Sequence, residues 1–442
     1  MRARAAQGLR SGDRADGTRL AGLPGDDPAA DAARDAVPRP RLLQQDRPAA
    51  VIISGGRVLL PEGIRDDLDV LIDHGRIEAL IPAEERGHRA RDGGGRVDVG
   101  GRLVTPGLID LHVHGFAGGC FDDGPGPAAG VLRGLAAQGV TAVQASLVSA
   151  PVGVLAERLA AFAAMERPAD GARLLGVHLE GPFLAAAQCG AHDPAVLGPP
   201  SADDVRRLLD FRDVLGMVTL APELPGAAEA TGLLAGAGVI VAAGHSEARG
   251  DALRAAVDAG LTHITHLWSG QSSTVREGPW RVPGLLEESL AADHLTAEVI
   301  ADGRHLPPAL LEIARRCVGE RLCVVSDGTP GTGLPRGSRY RLGTVTCEVG
   351  DGVGVVVGAD AFGGSTSTLP DMLRHLTGDL GWPVAEAVAA ATAVPARVLG
   401  LAHRKGAIAP GLDADLAVFD EGFHPWATVL RGAWLGPERT AP

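Results

Sequence analysis

Hydrophobic positions along the chain follow two rhythms. Runs 51–60, 68–73, 76–81 and 96–99 are short, rich in Val, Ile and Leu, and broken by Gly and Asp turns. A matching set recurs at 406–420 and 427–434. These runs predict a small composite β-sandwich built from both ends of the chain, 49–105 with 404–437. Between them, apolar β-type runs alternate with stretches of helical period. The strands fall at 108–114, 142–148, 174–180, 217–222, 239–245, 263–267, 296–301 and 322–327. Helices are expected at 154–165, 203–215 and 246–259. Eight β-runs with crossover helices predict an α/β fold, a (β/α)8 TIM-like barrel over 106–403. The Gly-rich segment 350–364 reads as extra strands or a lid loop, and 384–399 as a helix closing the barrel. Residues 1–48 lack apolar periodicity and read as a disordered extension. They contain no apolar core of a secretory signal.

The chain has 442 residues, 45% of them hydrophobic, enough for a barrel and a minor domain. A net charge of −13 disfavours nucleic acid or an anionic membrane surface as partner. No apolar run reaches the length of about 18 residues that a membrane helix needs. Cys120, Cys189, Cys317, Cys323 and Cys347 are scattered without a paired motif. They read as reduced thiols of a cytoplasmic protein.

The chemistry lies where the predicted strands end. The first closes on His112-Val-His114-Gly115, and side chains two apart on a strand share a face. The third gives His178-Leu-Glu180-Gly-Pro, the fifth Gly244-His245-Ser246, the sixth His263-Ile-Thr-His266, and the eighth Ser326-Asp327-Gly328. In such barrels the C-terminal strand ends form the active site. His112, His114, Glu180, His245, His266 and Asp327 are therefore the candidate ligands of one or two divalent ions, zinc first, with iron or manganese as alternatives. Each has a plainer reading: Glu180 or Asp327 stabilising a Gly turn, His245 capping a helix that Ser246 caps better. His178 reads as a supporting residue. His263 points to the face opposite His266.

These segments, with Leu220-Ala-Pro-Glu223, Ala301-Asp-Gly-Arg-His305 and Gly406-x-Ile-x-Pro-Gly-x-Asp-Ala-Asp-Leu416, resemble the amidohydrolase superfamily. More narrowly they resemble N-acetylglucosamine-6-phosphate deacetylases, over about residues 50–425. The resemblance implies a metal-dependent hydrolase acting on a small amino-sugar substrate. It implies His112, His114 and Asp327 around one ion, His245 and His266 around a second, and Glu180 contacting both. It further implies Asp327 as proton carrier and His305 as the group polarising the amide carbonyl. Related hydantoinases bridge two metals with a carboxylated lysine. The single lysine, Lys405, lies outside the predicted barrel, which leaves a strand-3 glutamate for that position.

Substrate contacts fit less closely. His192 matches a substrate-contacting histidine of the family. After Thr265-His266-Leu267 the family reads aromatic-Asn-Ala-Met, whereas here Trp268-Ser269-Gly270-Gln271 follows, leaving Ser269 and the Gly270 amide as donors. Arg281, in Arg281-Val-Pro-Gly-Leu, fits the family's phosphate-binding arginine by wording, and Arg276 by spacing. Such an arginine reaching a neighbouring subunit implies a homodimer. Two rival readings stand beside the deacetylase: an amidohydrolase of another N-acyl or cyclic-amide substrate, and a non-catalytic binding protein on an inactive barrel.

Overall fold

The computed structural model describes residues 50–85 and 95–437. The expected disordered extension, 1–48, lies outside the described residues. Eight parallel strands form the central sheet: β1 (Leu108–Val113), β2 (Val140–Val148), β3 (Arg173–Glu180), β4 (Leu215–Leu220), β5 (Ile240–Ala243), β6 (His263–Ile264), β7 (Thr296–Ile300) and β8 (Leu322–Val325). Each pairs in parallel with its neighbour in sequence. Nearly every strand residue is buried, as expected where both faces of a parallel sheet are covered. The ring closes just past the ends of β8 and β1. There the Asp327 amide donates to the His112 carbonyl at 2.9 Å and the His114 amide to that of Gly328 at 2.7 Å. Closure thus uses the backbone of three candidate site residues.

Helices cover the outside, and three differ from expectation. The stretch 246–259 becomes a helix only at Asp251–Asp258, behind Gly250 with its φ of 54°; the Ser246 hydroxyl accepts from the Ala248 amide at 2.9 Å and donates to Glu223 Oε2 at 2.7 Å, closing a turn rather than a helix. The stretch 203–215 is helical at Ala202–Leu209. The stretch 384–399 is two helices, Val384–Ala390 and Ala393–Val398, with Pro395 in the first turn of the second, where its missing N–H costs nothing. The Gly-rich segment after β8 belongs to a four-stranded antiparallel sheet, Arg339–Leu342, Val345–Val349, Val353–Val356 and Phe362–Ser365.

Both chain ends build two further sheets. One orders Ala433–Leu435, Pro425–Leu430, Leu416–Phe419, Leu103–Pro106, Arg57–Leu60 and Gly63–Arg65. The other orders Arg76–Pro82, Leu68–Asp73, Val51–Ser54 and Gly95–Asp98. Val104 stands opposite Val418 across the first sheet, so the two ends meet directly. Ile53, Val70, Ile77, Val97, Val104, Val418 and Trp434 share one buried cluster between the sheets. Each such side chain contributes roughly 1.5–3 kcal/mol by its burial.

Candidate metal centre

Strand geometry brings the candidate ligands together. His112 on β1 and His114 just past its end point the same way, and their Nε2 atoms lie 3.2 Å apart. Glu180 is the last residue of β3. His245, His266 and Asp327 follow the ends of β5, β6 and β8 by two residues each. His245 and Asp327 adopt left-handed backbone, φ 48° and 46°, unusual for residues other than Gly. Backbone bonds hold both in place: the His245 carbonyl accepts from Ala185 N at 2.9 Å, and the Asp327 carbonyl from Ser365 N at 2.9 Å. A sharp turn at each strand end aims the side chain back over the barrel mouth.

Glu180 is the hub. Its Oε1 lies 3.0 Å from His245 Nε2 and 2.9 Å from His266 Nε2. Its Oε2 lies 3.3 Å from His114 Nε2 and 3.4 Å from His112 Nε2. Asp327 Oδ1 stands 3.3 Å from His114 Nε2 and 3.6 Å from His112 Nε2. Ligand atoms of His112, Glu180 and His266, and of His112, His114 and Asp327, lie within 4.8 Å of one another.

The far sides of two rings decide what faces the carboxylates. His245 Nδ1 lies 2.7 Å from the Gln188 carbonyl, which only accepts, so Nδ1 carries a proton. His112 Nδ1 lies 3.1 Å from Glu298 Oε2 and reads the same way. In the neutral rings, Nε2 then presents a lone pair toward carboxylate oxygens. Acceptor facing acceptor at this range requires a cation or a proton between them. Without an ion the proton supplies it. Burial opposes charge on His114, but Asp327 and Glu180 outweigh it and raise its pKa to about 9. His112 is likewise raised by Glu180 and Glu298 against its burial, and His245 by Glu180. His112, His192 and His114 hold Glu180, and His114 and His112 hold Asp327, below the usual carboxylate range despite burial. The donor set therefore fits a divalent cation.

A supporting layer surrounds this set. Glu298, fully buried, joins His112 to His263, whose Nε2 lies 3.0 Å from Glu298 Oε1. It also accepts from the His266 amide at 3.2 Å. Glu298 lies at no strand end and so does not stand out in the sequence; its signal is a lone carboxylate inside the apolar run 295–301. His178 sits between the hydroxyls of Ser146 and Thr219 at 2.9 and 2.8 Å. Burial pushes its pKa well down, so it stays neutral.

The site opens into a cavity of about 330 Å³ lined by His192, Ser269, Gly270, His305 and Phe362 among others. His192 Nδ1 accepts from Ser149 N at 3.3 Å, so its Nε2 proton faces Glu180 Oε2, also at 3.3 Å. Its role as a donor differs from that of His112 and His245. His305 Nδ1 bonds Asp302 Oδ2 at 2.7 Å, a partner that sequence reasoning did not assign. Arg276 and Arg281 are not brought to this cavity. They sit on the exposed hairpin of Val275–Glu277 and Trp280–Val282, bonded to the carbonyls of Gly278 and Pro279.

Residues 103–437 match the model of the amidohydrolase family. N-acetylglucosamine-6-phosphate deacetylase of Bos taurus is 36% identical over 389 residues, 86% of this chain and 90% of that protein. The chain belongs to the N-acetylglucosamine-6-phosphate deacetylase family. A solved deacetylase of that name from Mycobacterium smegmatis, a variant in complex with N-acetyl-D-glucosamine-6-phosphate, superposes with a TM-score of 0.79. It is 32% identical over 88% of this chain and 100% of that one. The enzyme of that name from Pasteurella multocida shares the fold, with a TM-score of 0.80 at 23% identity over 88% of this chain and 100% of that one. The deacetylase family is thus carried here on a barrel with its carboxylate and histidine donors gathered at one mouth. Among the described residues, no helix is long and apolar enough to cross a membrane.

Proposed function

We propose that the chain hydrolyses the N-acetyl group of an amino sugar, N-acetylglucosamine 6-phosphate plus water giving glucosamine 6-phosphate and acetate. The observation that carries this reading is Glu180, with His245 and His266 on one carboxylate oxygen, His112, His114 and His192 on the other, and Asp327 alongside. His112, His114 and Asp327 would hold one divalent ion, His245 and His266 another, with Glu180 reaching both. Zinc is the first choice, since imidazole and carboxylate donors suit it. A cation bound there supplies Lewis acidity, which brings the pKa of water from about 15.7 to roughly 7.

The chain's own groups manage the protons and the substrate. Asp327, held ionised by its histidine neighbours, takes a proton from the attacking water and gives it to the leaving nitrogen as the C–N bond breaks. His305, whose pKa Asp302 raises against the effect of burial, donates to the carbonyl oxygen as negative charge develops there. His192 donates from the cavity wall. Ser269 and the Gly270 amide take the sugar phosphate. Arg276 and Arg281 would reach that phosphate from a second copy of the chain, because their hairpin projects outward. A homodimer in the cytoplasm follows from this reading and from the unpaired cysteines.

The test is a panel of N-acetylhexosamines with and without the 6-phosphate, glucosamine and galactosamine configurations included, assayed by acetate release. The expected result is turnover of the phosphorylated sugars, with N-acetylglucosamine 6-phosphate preferred. Turnover only of unphosphorylated or cyclic amides would replace this reading.

A further inference from the structure

A second cavity, of about 180 Å³, lies at the opposite end of the barrel, between the starts of β2 and β3 and the six-stranded sheet. Arg167, Arg173 and Arg431 line it with Thr141 and Asp415. The nearby carboxylates are already engaged. Asp415 accepts from the Arg431 amide at 2.7 Å and pairs with Lys405. Asp413 pairs with Arg404 at 2.9 Å. Among the described residues, no carboxylate forms an ion pair with the guanidinium of Arg167, Arg173 or Arg431. Three cations thus face one small cavity in a chain whose net charge is −13.

Arg431 carries a second, independent sign. With Gly432 it forms the turn between Pro425–Leu430 and Ala433–Leu435, and both residues have positive φ, 47° and 82°. Asn or Gly suits the first position of such a turn; an Arg there is held in left-handed backbone. We propose that this cavity is a binding site for a phosphate-type oxyanion, clamped by Arg167 and Arg173 of the barrel and Arg431 of the six-stranded sheet. Tetrahedral oxyanions match guanidinium forks, and a bound anion would tie the two parts of the fold together. Burial, then the neighbouring Arg404 and Arg431, depress the Arg173 pKa even against the charge of Asp413, a penalty that a bound anion would reduce. The site is separate from the metal centre. Arg173 begins β3 and Glu180 ends it, about 23 Å apart at the rise of a strand.

The experiment follows thermal unfolding and direct binding of the full chain with inorganic phosphate and, in a second arm, glycerol phosphate, against chloride at equal ionic strength. The wild type should melt higher in either phosphate arm than in chloride, the tighter-binding arm showing whether the free ion or an ester is preferred. The double variant Arg173→Gln/Arg431→Gln should lose that rise and keep its deacetylase kcat/KM. Arg167→Gln, an exposed position that the fold does not need, should weaken phosphate binding about ten-fold or more. No rise in the wild type over chloride, or an undiminished rise in the double variant, would overturn the proposal. So would unchanged affinity in Arg167→Gln should the double variant not fold.

Discussion

Glu298 and His112 are joined across the barrel interior, Oε2 to Nδ1 at 3.1 Å, with both side chains sealed from solvent. The contact fixes which nitrogen of His112 carries the proton and so leaves Nε2 available to an ion. Carboxylates behind ligating histidines commonly act this way. Glu298→Ala should weaken metal affinity about 10–100-fold, read by competition with a chelator. It should also cost about 3–5 kcal/mol of stability, because His112 and His263 lose a buried partner. Glu298→Gln, which retains an acceptor, should fall between. An alanine variant with unchanged metal affinity would show that the contact does not orient His112.

Asp327 is the second point of attack. Asn at this position keeps the shape and an acceptor oxygen but cannot take a proton. Asp327→Asn should therefore retain metal, measured by elemental analysis, and lose roughly 10²-fold or more in kcat. Near-full turnover in a metal-replete Asp327→Asn protein would remove the proton-carrier assignment.

His305 gives the pH dependence. Burial disfavours its charge, yet the hydrogen bond and charge of Asp302 prevail and place its pKa above the ordinary 6.5. The imidazolium that donates to the carbonyl is therefore present below that raised value and lost as pH rises through it. The pair's contribution to stability has the same sign: complete below about 6.5 and fading as pH passes the folded pKa. kcat/KM should fall on the alkaline side at a pH above 6.5, and Asp302→Asn should move that limb downward. A limb that stays in place in the Asp302→Asn enzyme would assign it to another group.

Much of the barrel was legible because parallel strands bury both faces and so appear as uninterrupted apolar runs, each punctuated by a residue too polar to be there without purpose. His112, Glu180, His245, His266 and Asp327 all stand at such ends. What failed to show has physical causes. Ser246 looks like a helix cap, but it closes a turn through the Ala248 amide while its hydroxyl donates to Glu223, a contact 23 positions away. Glu298 lies within a strand rather than at its end, and its partners, His112 and His263, come from two other strands. Arg281 fits the family wording and Arg276 its spacing, and both sit on an exposed hairpin, but a local motif does not record which copy of the chain such a hairpin serves. The positive φ of His245 and Asp327 is likewise set by bonds from distant segments, Ala185 and Ser365.

The most direct measurement is the metal content of purified wild type and Glu180→Ala, taken together with acetate release from N-acetylglucosamine 6-phosphate before and after chelation. With histidines on both Glu180 oxygens, the wild type should carry at least one divalent ion per chain and lose turnover on chelation, recovering it when metal is restored. Glu180→Ala should bind less metal and be inactive. A metal-free wild type that still releases acetate, or a Glu180→Ala variant with full metal content and full turnover, would contradict the account.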